Sequence, residues 1–152
     1  MPEPKKKIAM GCDHAGYSLK KYLAEKLCAE GYEIIDVGAD SAEQVDYPVY
    51  GRAAAEKVAA GSCDLGILVC GSGVGMSMVA NKVRGVRAVV CTEPLSAKMS
   101  RMHNDSNVLC IGERMVGIAM AWEIVTTWLS TPFEGGRHAK RVEMFEPAID
   151  EI

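Results

Sequence analysis

Short apolar runs alternate along the chain with longer segments in which apolar residues recur at helical spacing. The apolar runs are predicted to be β-strands. They cover residues 7–11, 32–37, 65–70, 86–91 and 107–111. Helices are predicted between and after them, at about residues 17–30, 48–60, 73–83, 95–103 and 116–129.

Strands that alternate with helices in this way form a parallel sheet with helices on both faces. We therefore expect an α/β fold, a Rossmann-like three-layer αβα sandwich with five parallel strands, in a single domain over residues 1–152. The runs at 65–70 and 86–91 are almost wholly apolar, which predicts strands that are buried on both faces. The charged segment 133–152 follows Pro132 and is predicted to be partly helical.

The composition is that of one globular domain, with 152 residues, a net charge of −3 and 24% charged residues. This balance argues against a nucleic-acid-binding protein, which would show a basic excess. No apolar segment follows the N-terminal lysines, and the longest apolar run is too short to cross a membrane. We expect a cytoplasmic protein that has neither nucleic acid nor a membrane as a partner.

Six cysteines are spread along the chain without the spacing of a disulfide framework or a zinc site. They are Cys12, Cys28, Cys63, Cys70, Cys91 and Cys110. None belongs to a C-x-x-C pair, so most are predicted to be small buried side chains. We expect no metal and no cofactor.

A glycine-rich loop follows the third predicted strand, at the edge where parallel sheets bind their ligands. It reads Cys70-Gly71-Ser72-Gly73-Val74-Gly75-Met76. The glycines permit a tight turn, and the N-terminus of the next helix favours an anion such as phosphate. A dinucleotide fingerprint needs glycine at position 76, and the lysine of a Walker A loop is missing. A tight turn beside a core cysteine is the alternative interpretation.

Polar side chains also follow other predicted strands. Asp13 and His14 come after the first strand, Tyr47 after the second and Arg114 after the fifth. Because the carboxyl ends of parallel strands meet at one edge, these side chains are predicted to lie on the same rim as Cys70. An Asp-His pair after a strand is more often a helix cap, but polar loops on neighbouring strands favour a site.

Six motifs occur in order along the chain. They are Gly11-Cys12-Asp13-His14, Val45-Asp46-Tyr47-Pro48, Cys70-Gly71-Ser72-Gly73-Val74-Gly75, Ala80-Asn81-Lys82, Ser100-Arg101-Met102-His103-Asn104-Asp105 and Glu134-Gly135-Gly136-Arg137-His138. Each is unspecific alone, but the ordered set resembles the type B ribose-5-phosphate isomerase family, which also contains isomerases of allose and galactose 6-phosphates. The resemblance covers about residues 7–144.

The resemblance implies that an aldose phosphate and a ketose phosphate are interconverted through a cis-enediolate, without a metal. Within the loop only Cys70 ionises near neutral pH, so it is assigned as the base that moves a proton between C2 and C1. Some family members carry glutamate at the position of Met76, and methionine cannot act as a base. Ser72 would move protons at the enediolate oxygens, and backbone N–H groups would hold the negative charge. These groups belong to Gly71, Gly73, Val74, Gly75 and their neighbours.

The resemblance also assigns the opening of the furanose ring to His103, with Asp13 on the other side of the ring. Asn104 would bind sugar hydroxyls. The remaining substrate-binding residues would be His14, Tyr47, Arg114, Arg137 and Arg141. No clear role follows for His138, and we expect it on the surface.

Topology separates these residues into two groups. The helix before the fifth strand runs antiparallel to the sheet, so His103 and Asn104 are predicted at the amino edge, opposite the glycine-rich loop. The arm 133–152 starts from the same edge, and Arg137 and Arg141 share a helical face because they are four residues apart. We therefore expect a homodimer, or a tetramer, in which the arm and His103 complete the site of a neighbouring subunit.

Ribose 5-phosphate is the expected substrate and ribulose 5-phosphate the product. Two alternatives stay open at this point. One is an isomerase of allose 6-phosphate or galactose 6-phosphate, and the other is a phosphosugar-binding module without catalysis.

Overall fold

The computed structural model describes residues 4–149 and contains a five-stranded, wholly parallel sheet. The strands are β1 Lys7–Cys12, β2 Glu33–Gly38, β3 Leu65–Cys70, β4 Ala88–Val90 and β5 Val108–Gly112. Their order across the sheet is β2-β1-β3-β5-β4. The predicted α/β fold with five parallel strands is confirmed.

Six α-helices and a short 3-10 turn, His14–Gly16, connect and follow the strands in the described residues. The helices are α1 Tyr17–Ala29, α2 Tyr47–Ala59, α3 Val74–Ala80, α4 Pro94–Asn104, α5 Ile118–Ser130 and α6 Arg137–Glu143. Two apolar clusters cover the two faces of the sheet, one beneath α1, α4 and α5, the other beneath α2 and α3. This division gives the three layers. Within residues 4–149, no helix is both long and apolar enough to cross a lipid bilayer.

The fourth strand differs from its prediction in length and position. It covers Ala88–Val90 only, pairs with β5 alone, and its residues are half-buried. An apolar run does not distinguish an edge strand from a central one, which is why burial on both faces was expected. The side-chain amide of Asn81 forms two hydrogen bonds with the first residue of β4. It accepts from the N–H of Ala88 at 2.8 Å and donates to the Ala88 carbonyl at 2.9 Å. Asn81 directly follows the end of α3, which is shorter than predicted.

The carboxyl ends of β1, β3 and β5 lie side by side. Residues Cys12 and Val69 are register partners in β1 and β3, and Cys70 and Gly112 are partners in β3 and β5. The chain leaves β1 toward one edge of the sheet and β3 toward the other, so a crevice forms above these strand ends. Three of the loops named in the sequence therefore meet there.

Candidate active site

The turn between β3 and α3 depends on glycines at two positions. Gly73 has φ +81°, and a Cβ there would lie 2.8 Å from Cγ2 of Val90 and 3.0 Å from the carbonyl carbon of Ile111. A Cβ on Gly112 would lie 2.5 Å from the carbonyl carbon of Ser72. Any side chain at either position would push the turn away from the end of β5. The glycines therefore set the position of the loop relative to the sheet.

Cys70 lies at the end of β3, on the floor of a cavity of about 510 Å³. The residue is 4% exposed, and the backbone N–H of Gly73 donates to its Sγ at 3.1 Å. The thiol is thus buried but lines a cavity that is open to solvent. A donor aimed at the sulfur stabilises negative charge on it.

The cavity collects eight of the residues that the sequence singled out. These are Asp13, Tyr47, Cys70, Gly71, Ser72, Val74, Gly75 and Arg114. Met78 and Met115 complete the lining and were not predicted. Met78 could have been found from its spacing, because it lies one helical turn after Val74 on α3.

Asp13 is buried, and it is both a helix cap and a residue of the cavity, the two roles that the sequence left open. Its Oδ1 accepts from the N–H of Gly16 at 3.0 Å, which caps the 3-10 turn. Its side chain also lines the cavity. The cap fixes the carboxylate at the rim without removing it from the site.

Gly75 and Tyr47 form a close contact across the cavity. A Cβ on Gly75 would lie 2.7 Å from Cζ of Tyr47 and 3.0 Å from its hydroxyl oxygen. Ser72 is exposed beside them, and its Oγ accepts from the N–H of Val74 at 3.2 Å. The absence of a side chain at position 75 lets the phenol stand over the N-terminus of α3.

The Gly75→Ala substitution is expected to displace the Tyr47 ring and to lower kcat/KM more than stability. The half-exposed ring can move, so the cost in stability should be near the lower end of the about 1–3 kcal/mol typical of overpacking. Gly117→Ala is the control, because its backbone is ordinary at φ −76° and a Cβ there meets nothing within 4 Å. Steady-state kinetics measure kcat/KM, and thermal unfolding measures stability, for each of the two variants. Equal kinetics for the two variants would contradict the assigned contact.

Arg114 is held above the glycine-rich turn by the backbone. The N–H of Glu113 donates to the carbonyl of Cys70 at 2.9 Å, and the N–H of Arg114 donates to that of Gly71 at 3.0 Å. Oε1 of Glu113 accepts from the N–H of Leu19 at 2.6 Å, which ties the loop to the first turn of α1. The exposed guanidinium places a positive charge at the cavity.

A second group of predicted residues lies at the amino edge of the same sheet. α4 runs antiparallel to the strands and ends with His103 and Asn104. Asn104 lines a separate cavity of about 430 Å³ with Arg87, Ser100 and Phe145. The described chain therefore does not bring this group to Cys70.

Arg137 and Arg141 lie exposed on α6, which packs against α4. Neither guanidinium forms an ion pair with another residue in the range 4–149. After α6 the chain folds back over its own amino edge, where Glu146 accepts from the N–H of Gly85 at 2.7 Å. Residues 150–152 of the predicted arm lie outside the described residues.

His14 lies on the predicted rim but outside the Cys70 cavity, and His138 is placed differently from its prediction. Nδ1 of His14 accepts from the N–H of Val45 at 3.2 Å, and His14 is not among the residues that line the Cys70 cavity. The expected surface position of His138 is wrong, because this residue of α6 is only 8% exposed. The packing of α6 on α4 buries it, and a charged local sequence gave no sign of that contact.

Four of the remaining thiols are buried where ionisation is unfavourable. Burial raises the pKa of Cys12 and of Cys63. Burial, helped by the nearby Glu93, raises the pKa of Cys91 to about 11. Burial also raises the pKa of Cys110 well above its usual range. Raised values keep these groups as neutral thiols across neutral pH.

Iodoacetamide at about pH 8 is expected to alkylate Cys28 and Cys70 in the folded protein, because thiolates are the reactive form and need access. Cys28 is exposed and Cys70 lines the cavity. In a Cys28→Ser variant, loss of activity should follow alkylation of Cys70, as measured by peptide mass spectrometry. Alkylation of Cys91 as fast as that of Cys28 would contradict the assignment.

Comparison with known proteins relates this site to a family. The model of the Ribose/Galactose Isomerase family matches residues 8–145. Ribose-5-phosphate isomerase B of Escherichia coli K12 is 54% identical over 138 residues, which cover 91% of this chain and 93% of the relative. Galactose-6-phosphate isomerase subunit LacB of Clostridium acetobutylicum is 38% identical over 145 residues, which cover 95% and 82%.

Among solved structures, Clostridium thermocellum ribose-5-phosphate isomerase B superposes with a TM-score of 0.90 at 54% identity, covering 91% of this chain and 93% of the other. Fold and relatives together define the chain as an isomerase, an intramolecular oxidoreductase. It belongs to the ribose/galactose isomerase family, which confirms the resemblance seen in the sequence.

Proposed function

We propose that the protein interconverts ribose 5-phosphate and ribulose 5-phosphate, with Cys70 as the base. The observation that carries the proposal is the Cys70 thiol on the floor of an open cavity, with the N–H of Gly73 aimed at its sulfur. Cys70 is also placed at the carboxyl edge of a parallel sheet, where such folds bind small ligands.

The cavity supplies the groups that this reaction needs. The Cys70 thiolate removes the proton from C2 of the open-chain aldose, and the electron pair passes to the carbonyl oxygen to form an enediolate. Ser72 and the backbone N–H groups of the turn hold the negative charge, and such donors contribute about 2.7–4 kcal/mol each in other enzymes. Ser72 passes the proton of the C2 hydroxyl to the oxygen on C1, and the thiol returns its own proton to C1, which gives the ketose. Hydrogen is moved within one molecule, so no external oxidant or reductant is needed.

A second copy of the chain completes the proposed site. His103, Asn104, Arg137 and Arg141 lie at the other edge of the sheet, so a ring-opening histidine and a phosphate clamp must come from a neighbour. The apolar side chains Val74, Met78 and Met115 line the cavity and are 45%, 65% and 58% exposed, as expected of a surface that a neighbour covers. We infer a homodimer with shared sites, in which the arm after residue 132 serves the neighbour.

The proposed dimer also explains the free arginines. Two guanidinium groups four residues apart on α6 can hold a phosphate through parallel N–H bonds. The 5-phosphate of the sugar is an anion of that kind. Arg114 stays with the cavity of its own chain, beside the turn.

The test is a comparison of kcat/KM for ribose 5-phosphate, allose 6-phosphate and galactose 6-phosphate. We expect the pentose phosphate to be preferred. A hexose 6-phosphate is the second candidate substrate, because one relative is named as a galactose-6-phosphate isomerase subunit. Preference for a hexose phosphate would overturn the proposed substrate, and binding without any turnover would identify a phosphosugar-binding module instead.

A further inference from the structure

Three side chains meet at the amino edge of the sheet, outside the Cys70 cavity. The imidazole rings of His103 and His138 stack with their centroids 4.5 Å apart and their planes 18° from parallel. Oε2 of Glu134 lies 3.5 Å from Nε2 of His138. This nitrogen is buried and has no hydrogen-bond partner within the described residues, so the carboxylate is close enough for attraction but not aligned for a bond.

The backbone fixes this arrangement. The N–H of Glu134 donates to the carbonyl of Met102 at 3.1 Å, which ties the loop before α6 to the residue that precedes His103. The N–H of His138 donates to the carbonyl of Gly135 at 3.0 Å. Gly135 and Gly136, at φ +67° and +55°, turn the chain back onto α4. The contact between the two rings is therefore built into the fold.

The cluster is poorly arranged for a single metal ion. The nearest ligand atoms of His103, Glu134 and His138 lie within 4.8 Å of one another, a spacing that zinc could use. An ion must lie in the plane of each imidazole that binds it, however, and two nearly parallel stacked planes do not share such a point. The rings are arranged to touch by their faces.

Burial and neighbouring positive charges favour the neutral form of the His138 ring. Burial lowers the pKa of His138, and the positive charges of His103, Arg137 and Arg141 lower it further, while Glu134 opposes them. An imidazolium at this position would repel a protonated His103 only 4.5 Å away. The His138 ring therefore offers a flat face against which the His103 ring lies.

We propose that His138 is a positioning residue, which fixes the plane of the His103 ring so that its N–H points at the ring oxygen of the sugar bound in the neighbouring subunit. This inference rests on the proposed function, in which His103 opens the furanose. It assigns a role to a buried side chain that the cavity chemistry does not use. Loss of the stack should therefore impair ring opening and leave proton transfer at Cys70 intact.

The experiment separates these two steps. Ribulose 5-phosphate has no furanose form, so exchange of its C1 proton with deuterium oxide requires Cys70 but no ring opening. We expect His138→Ala to lower kcat for ribose 5-phosphate at least tenfold and to leave C1 exchange within about twofold of wild type. His138→Phe, which keeps a neutral stacked ring, should restore most of the turnover. Lys140→Ala, on the same helix and exposed, is the control.

Nuclear magnetic resonance supplies a readout that does not depend on activity. The chain has only 3 histidines, so the ring signals of His103 are readily assigned, and loss of the His138 ring current should shift them in His138→Ala but less in His138→Phe. Equal loss of turnover and C1 exchange, full turnover in His138→Ala, or failure of His138→Phe to rescue would overturn the inference. Ring signals that change on removal of metal with EDTA would overturn it as well, since the cluster would then hold an ion. Absence of C1 exchange in the wild type would instead defeat the proposed function.

Discussion

Cys70→Ala is expected to reduce the turnover of ribose 5-phosphate by about 10²–10⁴-fold, the usual contribution of a positioned acid–base group. The substitution removes only the sulfur, which faces the cavity, so the fold should persist. The lost bond from the Gly73 N–H should cost about 1 kcal/mol of stability. Thermal unfolding and a coupled isomerisation assay measure the two effects.

Two control variants isolate the role of the sulfur. Cys70→Ser keeps an acceptor for the Gly73 N–H but offers a hydroxyl that hardly ionises at neutral pH, so it should be nearly as inactive as Cys70→Ala. Cys110→Ala removes a fully buried thiol from neighbouring β5 and should lose stability while keeping activity. Wild-type turnover in Cys70→Ala would remove the thiol as the base.

Mixing two inactive variants, Cys70→Ala and His103→Asn, is expected to restore activity if the site is shared between subunits. Each hybrid dimer then has one site with both substitutions and one with neither. Random pairing makes half of the dimers hybrid, so the mixture should reach about a quarter of the wild-type rate. The two chains are co-expressed with different tags, and the purified hybrid dimer should then show about half of the wild-type rate.

The opposite result is equally clear. If Cys70 and His103 served the same chain's site, every site in the hybrid would carry one of the substitutions and the mixture would stay inactive. A hybrid of Cys70→Ala with Cys70→Ser is the control and should show no recovery under either arrangement.

The rim of the Cys70 cavity could be predicted because it depends on strand order and local chemistry. The alternation of strands and helices fixes a parallel sheet, and a parallel sheet brings the residues after β1, β3 and β5 to one edge. Asp13, Cys70 and Arg114 meet there for that reason. The same rule of alternating direction placed His103 and Asn104 at the opposite edge.

Contacts between distant segments could not be read from local pattern. β4 was expected to be buried on both faces, but its place at the sheet edge depends on which strand pairs with β5. His138 was expected on the surface, but it lies on the face of α6 that packs against α4. The hydrogen bond between Glu113 and Leu19 joins residues that are 94 positions apart, and no sequence motif predicts it. In each case tertiary packing decided what periodicity left open.

The most direct test of the central claim follows a hydrogen label. Ribose 5-phosphate that carries deuterium at C2 is incubated with wild-type protein and with Cys70→Ala, and the label at C1 of ribulose 5-phosphate is measured at low conversion. We predict that the wild-type protein moves part of the label to C1 and loses the rest to solvent, because one thiol carries the proton between adjacent carbons. Transfer of the label by Cys70→Ala at the wild-type rate would contradict it.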